Sequence, residues 1–185
     1  MVIIIIANAF GVLSTLCFII SFQVKSNTKL FIIQCIGNVF YGIQFYLLGA
    51  TGGLFNMGMQ IVRNLLILMQ KRWTWLKKPI MGILICVPSL IYLILTYSGW
   101  LDFLPFIAMV VGTICYWTNN AKALRLSELI CVSPAWMAYD FITHSYGGVL
   151  TELVIYGSVV ASMIRFGWKG LDELNPKDED TETQE

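Results

Sequence analysis

The sequence predicts an all-α integral membrane protein. Seven transmembrane helices form two parallel three-helix repeats joined by a linker helix, with the N-terminus outside and the C-terminus in the cytoplasm. Three observations predict this. Seven apolar stretches fill most of the chain. Eleven of its 12 Lys and Arg residues fall in the connections on one side of those stretches. The first and last apolar thirds match weakly when the chain is shifted by 95 residues, which lays Gly52 on Gly147.

Composition sets the class. Of 185 residues, 57% are hydrophobic and 12% charged, against about 45–50% and about 25% in an ordinary globular domain. A soluble fold of this size cannot hide that much apolar surface. About 20 residues cross about 30 Å of hydrocarbon, so the length admits six or seven crossings and no soluble catalytic domain.

The stretches are continuously apolar rather than alternating, and longer than barrel strands, so helices satisfy their backbones in lipid. Spans are predicted at 2–22, 30–48, 53–70, 80–97, 102–118, 125–142 and 148–167. The opening Met1-Val2-Ile3-Ile4-Ile5-Ile6 lacks a basic n-region and reads as a span rather than a cleaved signal peptide. Spans three and six are the weakest because each carries polar residues, and hydropathy alone would give six.

Charge fixes the parity. Lys25 and Lys29 follow span one, and Lys71, Arg72, Lys77 and Lys78 follow span three. Lys122 and Arg125 follow span five, and Arg165, Lys169 and Lys177 lie at the end of span seven. The other four segments contain no Lys or Arg. Basic loops stay on the cytoplasmic face, and deleting any one span breaks the pattern. The twelfth basic residue, Arg63, lies within a span.

Under the 95-residue shift, Gly52-Gly53 falls on Gly147-Gly148, Tyr41 on Trp136 and Asn38 on Ser133. Residues 1–70 are then repeat one, 80–97 the linker helix and 102–168 repeat two. The linker inverts the chain so that both units point the same way, one of the known plans for a transporter. Residues 169–185 hold seven of the 11 acidic residues within their last 14 positions and are predicted to form a disordered acidic cytoplasmic tail.

Polar groups in hydrocarbon are costly and usually face a bundle interior or a water-filled path. In span three, Gly53, Asn56, Gln60, Arg63 and Asn64 form one helical stripe. Span two offers Gln34, Asn38, Tyr41 and Phe45; span six offers Ser133, Trp136, Asp140 and His144; span seven offers Gly148, Glu152 and Tyr156. A mid-span Arg costs at least ~2.5–3.5 kcal/mol on insertion scales, so Arg63 needs a partner. Glu152 and Asp140 are read as the only acids deep enough, yet Arg63 lies about six residues further in than Glu152, roughly 9 Å. Three readings of Arg63 stay open: a bond that locks the bundle, an anion-binding or gating residue, or snorkelling towards the basic face. Glu152 and Asp140 are also candidate proton-coupling sites, whereas His144 reads as an outer-loop residue. The five cysteines sit in apolar runs without Cys-x-x-Cys spacing and read as small buried hydrophobes. In span seven, Gly157 with Ala161 and Ser158 with Ser162 permit close helix approach, internally first and in a homodimer second. Trp73, Trp75, Trp100, Trp117 and Trp168 read as interface anchors.

Several short motifs carry a family resemblance: Phe45-Tyr46-Leu47-Leu48-Gly49, Arg63, Leu104-Pro105, Trp136, Gly147-Gly148, Glu152 and Ile164-Arg165-Phe166. The chain resembles the superfamily of SWEET and SemiSWEET sugar transporters, PQ-loop transporters and PnuC-type vitamin transporters, and within it the bacterial YgjV-type inner membrane proteins. The Pro-Gln dipeptide of PQ-loop proteins is absent. Ser21-Phe22-Gln23 and Tyr116-Trp117-Thr118 stand near its two positions. The resemblance implies that Tyr41 with Asn56 and Trp136 with Glu152 flank a substrate.

The expected function is movement of a small polar organic solute, sugar-like or vitamin-precursor-like by resemblance, across the bacterial inner membrane. The expected substrate-binding residues are Asn38, Tyr41, Asn56, Gln60, Arg63, Trp136, Asp140 and Glu152. The alternative is a non-transporting receptor or assembly factor on the same plan. An enzyme is not expected, because the sequence has no paired His or Cys ligands, nucleophile elbow, glycine-rich phosphate loop or acidic metal cluster. No cofactor, metal or nucleic acid is expected; the partners are membrane lipids, the solute and a second copy of the chain.

Overall fold

The structure is a computed structural model that describes residues 2–49, 51–97, 99–142 and 146–171. The predicted acidic tail from residue 172 onward, His144 and the Asp140 side chain lie outside the described residues. Among those residues there are α-helices, a π-helical turn and two 3-10 turns, and no strand.

Helix α1 (Val2–Gln23) and helix α2 (Asn27–Leu48) are separated by a tight basic turn. Ser26 caps α2 by accepting from the Lys29 N–H, and Gly49 ends it at φ 71°, donating to the Phe45 and Tyr46 carbonyls. That left-handed cap suits glycine, which has no Cβ to clash there. Helices α3 (Thr51–Met69) and α4 (Pro79–Thr96) follow, linked through the 3-10 turn Thr74–Lys77. Proline opens α4, where its missing N–H costs nothing. Helix α5 (Phe103–Trp117) leads through a short turn into α6 (Ala121–Ser127), whose Asn120 cap accepts from the Lys122 and Ala123 N–H groups. A π-helical turn (Glu128–Val132) joins α6 to α7 (Ser133–Ile142). Helix α8 (Tyr146–Gly170) is continuous until Gly167, which breaks it at φ 68°, ψ 161°.

Five segments are long and apolar enough to cross a membrane: Val2–Gln23, Asn27–Leu48, Pro79–Thr96, Trp100–Trp117 and Gly148–Gly170. The two left out are α3 and the α6–α7 segment, the predicted spans three and six. The sixth span is not the single helix 125–142 of the sequence reading. It starts at Ala121, and its middle is wound as a π turn.

Helix α2 packs between α1 and α3, while α7 packs on α5 and α8. Helix α4 lies mainly on α5 and touches α3, where Phe55 stacks on Tyr92 at 4.2 Å. The two groups meet along α1–α8 and α3–α5. Apolar side chains such as Ile94, Leu95 and Ile164 cover the outside, as expected of a surface solvated by lipid.

Alternate connections are bonded into one end of the bundle. Asn27 Nδ2 donates to the Asn119 carbonyl at 2.8 Å, and Gln70 Nε2 to the Trp117 carbonyl at 3.4 Å. Gln23 Nε2 donates to the Ser158 carbonyl and hydroxyl, and the Ser158 hydroxyl donates to the Ile19 carbonyl. Buried Ser158 and Ser162 thus serve packing of α8 inside the bundle, while Gly157 and Ala161 are exposed.

Two residues of this end depart from the sequence reading. Arg125, read as a loop cation, is fully buried. Its guanidinium donates to Ser162 Oγ at 3.0 Å, the Ala121 carbonyl at 3.2 Å and the Phe22 carbonyl at 3.2 Å. Helix α6 begins earlier than predicted, so this Arg falls on its inner face and finds acceptors on α1 and α8. Trp117, read as an interface anchor, is also buried. Its Nε1 donates to the Leu76 and Lys78 carbonyls at 3.0 and 3.2 Å. Its ring seats on Gly82, where a Cβ would meet Trp117 Cγ at 2.9 Å. Trp73, Trp75, Trp100 and Trp168 are exposed.

Candidate solute cavity

Between the two helix groups lies a cavity of about 660 Å³. Its lining reaches Leu48, the last residue of α2, and Gly148 near the start of α8, at the end away from the basic connections. In the other direction it stops at Phe22, Gln34, Arg63, Tyr116, Glu128 and Ile155. Helix α8 continues to Gly170 beyond that level, and the Gln23, Arg125 and Trp117 bonds fill the space. The cavity therefore runs from the end away from the basic loops to a floor beside Phe22 and Tyr116, near the ends of α1 and α5.

The walls combine aromatic faces with amides and acids. Tyr41 stacks on Phe45 at 5.7 Å and meets Phe18 at 6.1 Å, while Trp136 meets Tyr139 edge-on at 5.9 Å. Asn56, Gln60 and Arg63 line the cavity along one face of α3, because spacings of four and three residues return to the same side of a helix. Of the sequence-predicted residues, Tyr41, Asn56, Gln60, Arg63, Trp136 and Glu152 share this one cavity. Asn38 does not. It is fully buried and borders a separate, mostly apolar groove between α2 and α3 with Val39, Gly42 and Leu54.

The floor holds groups that the sequence reading did not assign. Arg63 is 5% exposed. Its Nε donates to Asn64 Oδ1 at 3.1 Å, and its guanidinium carbon lies 4.4 Å from the centre of the Tyr116 ring. The Tyr116 hydroxyl donates to Glu128 Oε2 at 3.0 Å, and Ser133 Oγ donates to Glu128 Oε1 at 3.4 Å. Glu152 and Asp140 are therefore not the only deep acids, since Glu128 is buried at the cavity floor. The π turn is the reason. In an α-helix, residues five apart are separated by about 140°, so Glu128 and Ser133 would face different ways. The wider turn brings both to one side, and such turns recur at functional sites. A sequence signal does exist: Glu128, Val132 and Trp136 recur at four-residue intervals, and all three line the cavity.

A protein-family model described as a bacterial inner membrane protein, Imp-YgjV, matches residues 5–169. The chain belongs to this family. It is thus a bacterial inner membrane protein with several membrane-spanning helices. No curated protein and no solved structure gives a significant match. In this Imp-YgjV chain the match takes in every helix that lines the cavity.

Proposed function

We propose that this Imp-YgjV protein is a transporter or facilitator of a small polar organic solute, working by alternating access. The observation that carries the reading is a cavity of about 660 Å³ that reaches one end of the bundle and is closed towards the other by the Arg125 and Trp117 bonds. Its size falls within the ~300–1,000 Å³ typical of small-molecule sites. Aromatic faces suit the C–H surface of a solute, and Asn56, Gln60 and Glu152 suit its hydroxyl or amine groups.

In this reading α1–α3 and α5–α8 are two parallel units joined by α4, a plan like that of SWEET-type proteins. The N-terminus lies outside because the basic connections stay in the cytoplasm. The structure then corresponds to the outward-facing state. Rocking one unit against the other opens the basic end and closes the mouth. The breaking points are the bonds from Arg125 to Phe22, from Gln23 to Ser158 and from Trp117 to the α3–α4 connection. Each of these joins one unit, or its linker, to the other.

Uptake of radiolabelled sugars, nucleosides and vitamin precursors into proteoliposomes tests the reading. At least one solute is expected to enter. Trp136→Ala is expected to cut its rate about 5- to 150-fold, from the ~1–3 kcal/mol lost with one solute-facing ring, while the melting temperature changes little. If no solute moves and the protein instead copurifies with a membrane partner, the receptor or assembly reading replaces this one.

A further inference from the structure

Arg63 carries hydrogen-bond donors that the protein itself does not use among the described residues. Its one hydrogen bond to the protein uses Nε and goes to Asn64, its neighbour on the same helix. The Tyr116 ring lies 4.4 Å from its guanidinium carbon, and Glu128 stands near enough to act on it electrostatically. Nη1 and Nη2 have no hydrogen-bond partner among the described residues, although Arg63 is 95% buried. A residue that locked the bundle would bond across it, as Arg125 does with three acceptors on three helices. Glu128, the acid at the same floor, accepts from the Tyr116 and Ser133 hydroxyls and stands near Arg63 with no hydrogen bond to it among the described residues. A buried cation with two donors turned to a cavity suits an oxyanion, because the planar fork matches the two oxygens of a carboxylate or phosphate.

The far end of the cavity has the opposite character. Asn56 Oδ1 and Gln44 Oε1 are acceptors with no hydrogen-bond partner among the described residues, and both line the cavity nearer its mouth. Asn56 precedes Arg63 by seven positions on α3, which is about 10 Å along the helix. Donors lie deep, and acceptors lie about 10 Å above them.

We infer that the solute is a small organic acid, bound with its carboxylate or phosphate on Arg63 at the floor and its hydroxyl or amine groups against Asn56 and Gln44 near the mouth. The inference rests on the transport reading for its physiological meaning, but it concerns binding and is tested by binding. Gly112, one turn before Tyr116 on α5, leaves space beside Nη1. A Cβ at Gly112 would stand 3.7 Å from Nη1 and 3.2 Å from Val132 Cγ2.

Matched solutes decide it. The purified protein in detergent is titrated with glucose, gluconate and glucose 6-phosphate, and with nicotinamide and nicotinate, while its melting temperature is followed. At least one acid is expected to raise the melting temperature where its neutral counterpart does not. A response confined to gluconate and nicotinate, or to the phosphate ester, identifies the oxyanion. Arg63→Gln is expected to weaken the responding acid about 10- to 100-fold, the usual range for charge-assisted hydrogen bonds. Arg63→Lys keeps the charge without the fork and is expected to fall between. Gly112→Ala retains the guanidinium and crowds the space before it, so it guards against Arg63→Gln failing to fold, and it is expected to weaken the acid alone. Equal stabilisation by the neutral members, an acid response that survives in both Arg63→Gln and Gly112→Ala, or no response to any acid overturns the inference. A neutral sugar that binds and is carried leaves the transport reading standing without the acid. An acid that binds through Arg63 but never crosses proteoliposomes has the reverse consequence.

Discussion

Replacing Arg125 with alanine is expected to destabilise the protein by about 4 kcal/mol. Three charge-assisted hydrogen bonds end on this guanidinium, and each is ordinarily worth about 1.5–3 kcal/mol. Truncation leaves the Phe22 and Ala121 carbonyls and the Ser162 hydroxyl without that donor in a buried setting. Their sum exceeds the expected loss because the bonds share one side chain and are not independent. The Phe166 ring, 5.7 Å from the guanidinium carbon, loses a cation contact as well. Arg125→Lys is expected to recover part of the loss, because an ammonium cannot reach acceptors on α1, α6 and α8 from one position. Unfolding titrations in mixed micelles of mild detergent and dodecyl sulfate measure the difference. A change below about 1 kcal/mol, the range of an exposed charge, would mean that Arg125 is solvated after all.

Trp117→Ala is expected to cost a similar amount, about 3–5 kcal/mol, in line with other large-to-small changes at buried aromatic positions. The ring fills the hollow above Gly82, and its N–H serves two carbonyls of the connection between α3 and α4. Trp117→Phe separates the two contributions. It keeps most of the volume and loses the donor, so a smaller loss of about 1–3 kcal/mol is expected. The same titration reads both variants. Equal losses for Phe and Ala would assign the whole effect to the N–H; no loss for Phe would assign it to packing.

These residues also mark where reading the sequence succeeds and where it stops. The spans were legible because crossing lipid demands continuous apolarity, and the predicted limits 2–22 and 30–48 lie close to α1 and α2. The α3 stripe of Asn56, Gln60 and Arg63 was legible because a regular helix converts spacing into direction. Arg125 and Trp117 were not. A cation or indole near a span end looks the same in sequence whether it faces water, lipid or protein; only the packing of α1, α6 and α8 around Arg125, and of α4 with the connection before it around Trp117, distinguishes them. Glu128 escaped for a different reason. The four-residue interval of Glu128, Val132 and Trp136 points it inward, but its pairing with Ser133 depends on a π turn, an irregularity that hydropathy does not mark. Asn38 shows the converse limit. It shares the periodic face of Gln34 and Tyr41, yet it sits where α2 meets α3, because a stripe one residue wide in sequence spans more than one surface in a bundle.

Weak hydropathy and cavity lining coincide in this chain for a physical reason. Helix α3 and the α6–α7 segment are the two not long and apolar enough to count as spans alone. They also bring Asn56, Gln60, Arg63, Glu128 and Trp136 to the cavity. A helix that presents polar groups to an internal space has fewer apolar residues to offer lipid, and packing against its neighbours compensates.

The central claim is that the cavity communicates with the face opposite the basic connections and with that face alone. Cysteine accessibility tests it most directly. In a background with Cys17, Cys35, Cys86, Cys115 and Cys131 replaced, Thr15→Cys and Gln60→Cys place thiols on the cavity wall, and Lys25→Cys places one in a basic connection. A membrane-impermeant maleimide is applied to spheroplasts and to inverted vesicles. The cavity thiols are expected to react in spheroplasts and to be protected in inverted vesicles, with Lys25→Cys behaving oppositely. Cavity thiols that react from the same side as Lys25→Cys, or from neither side, would contradict the account.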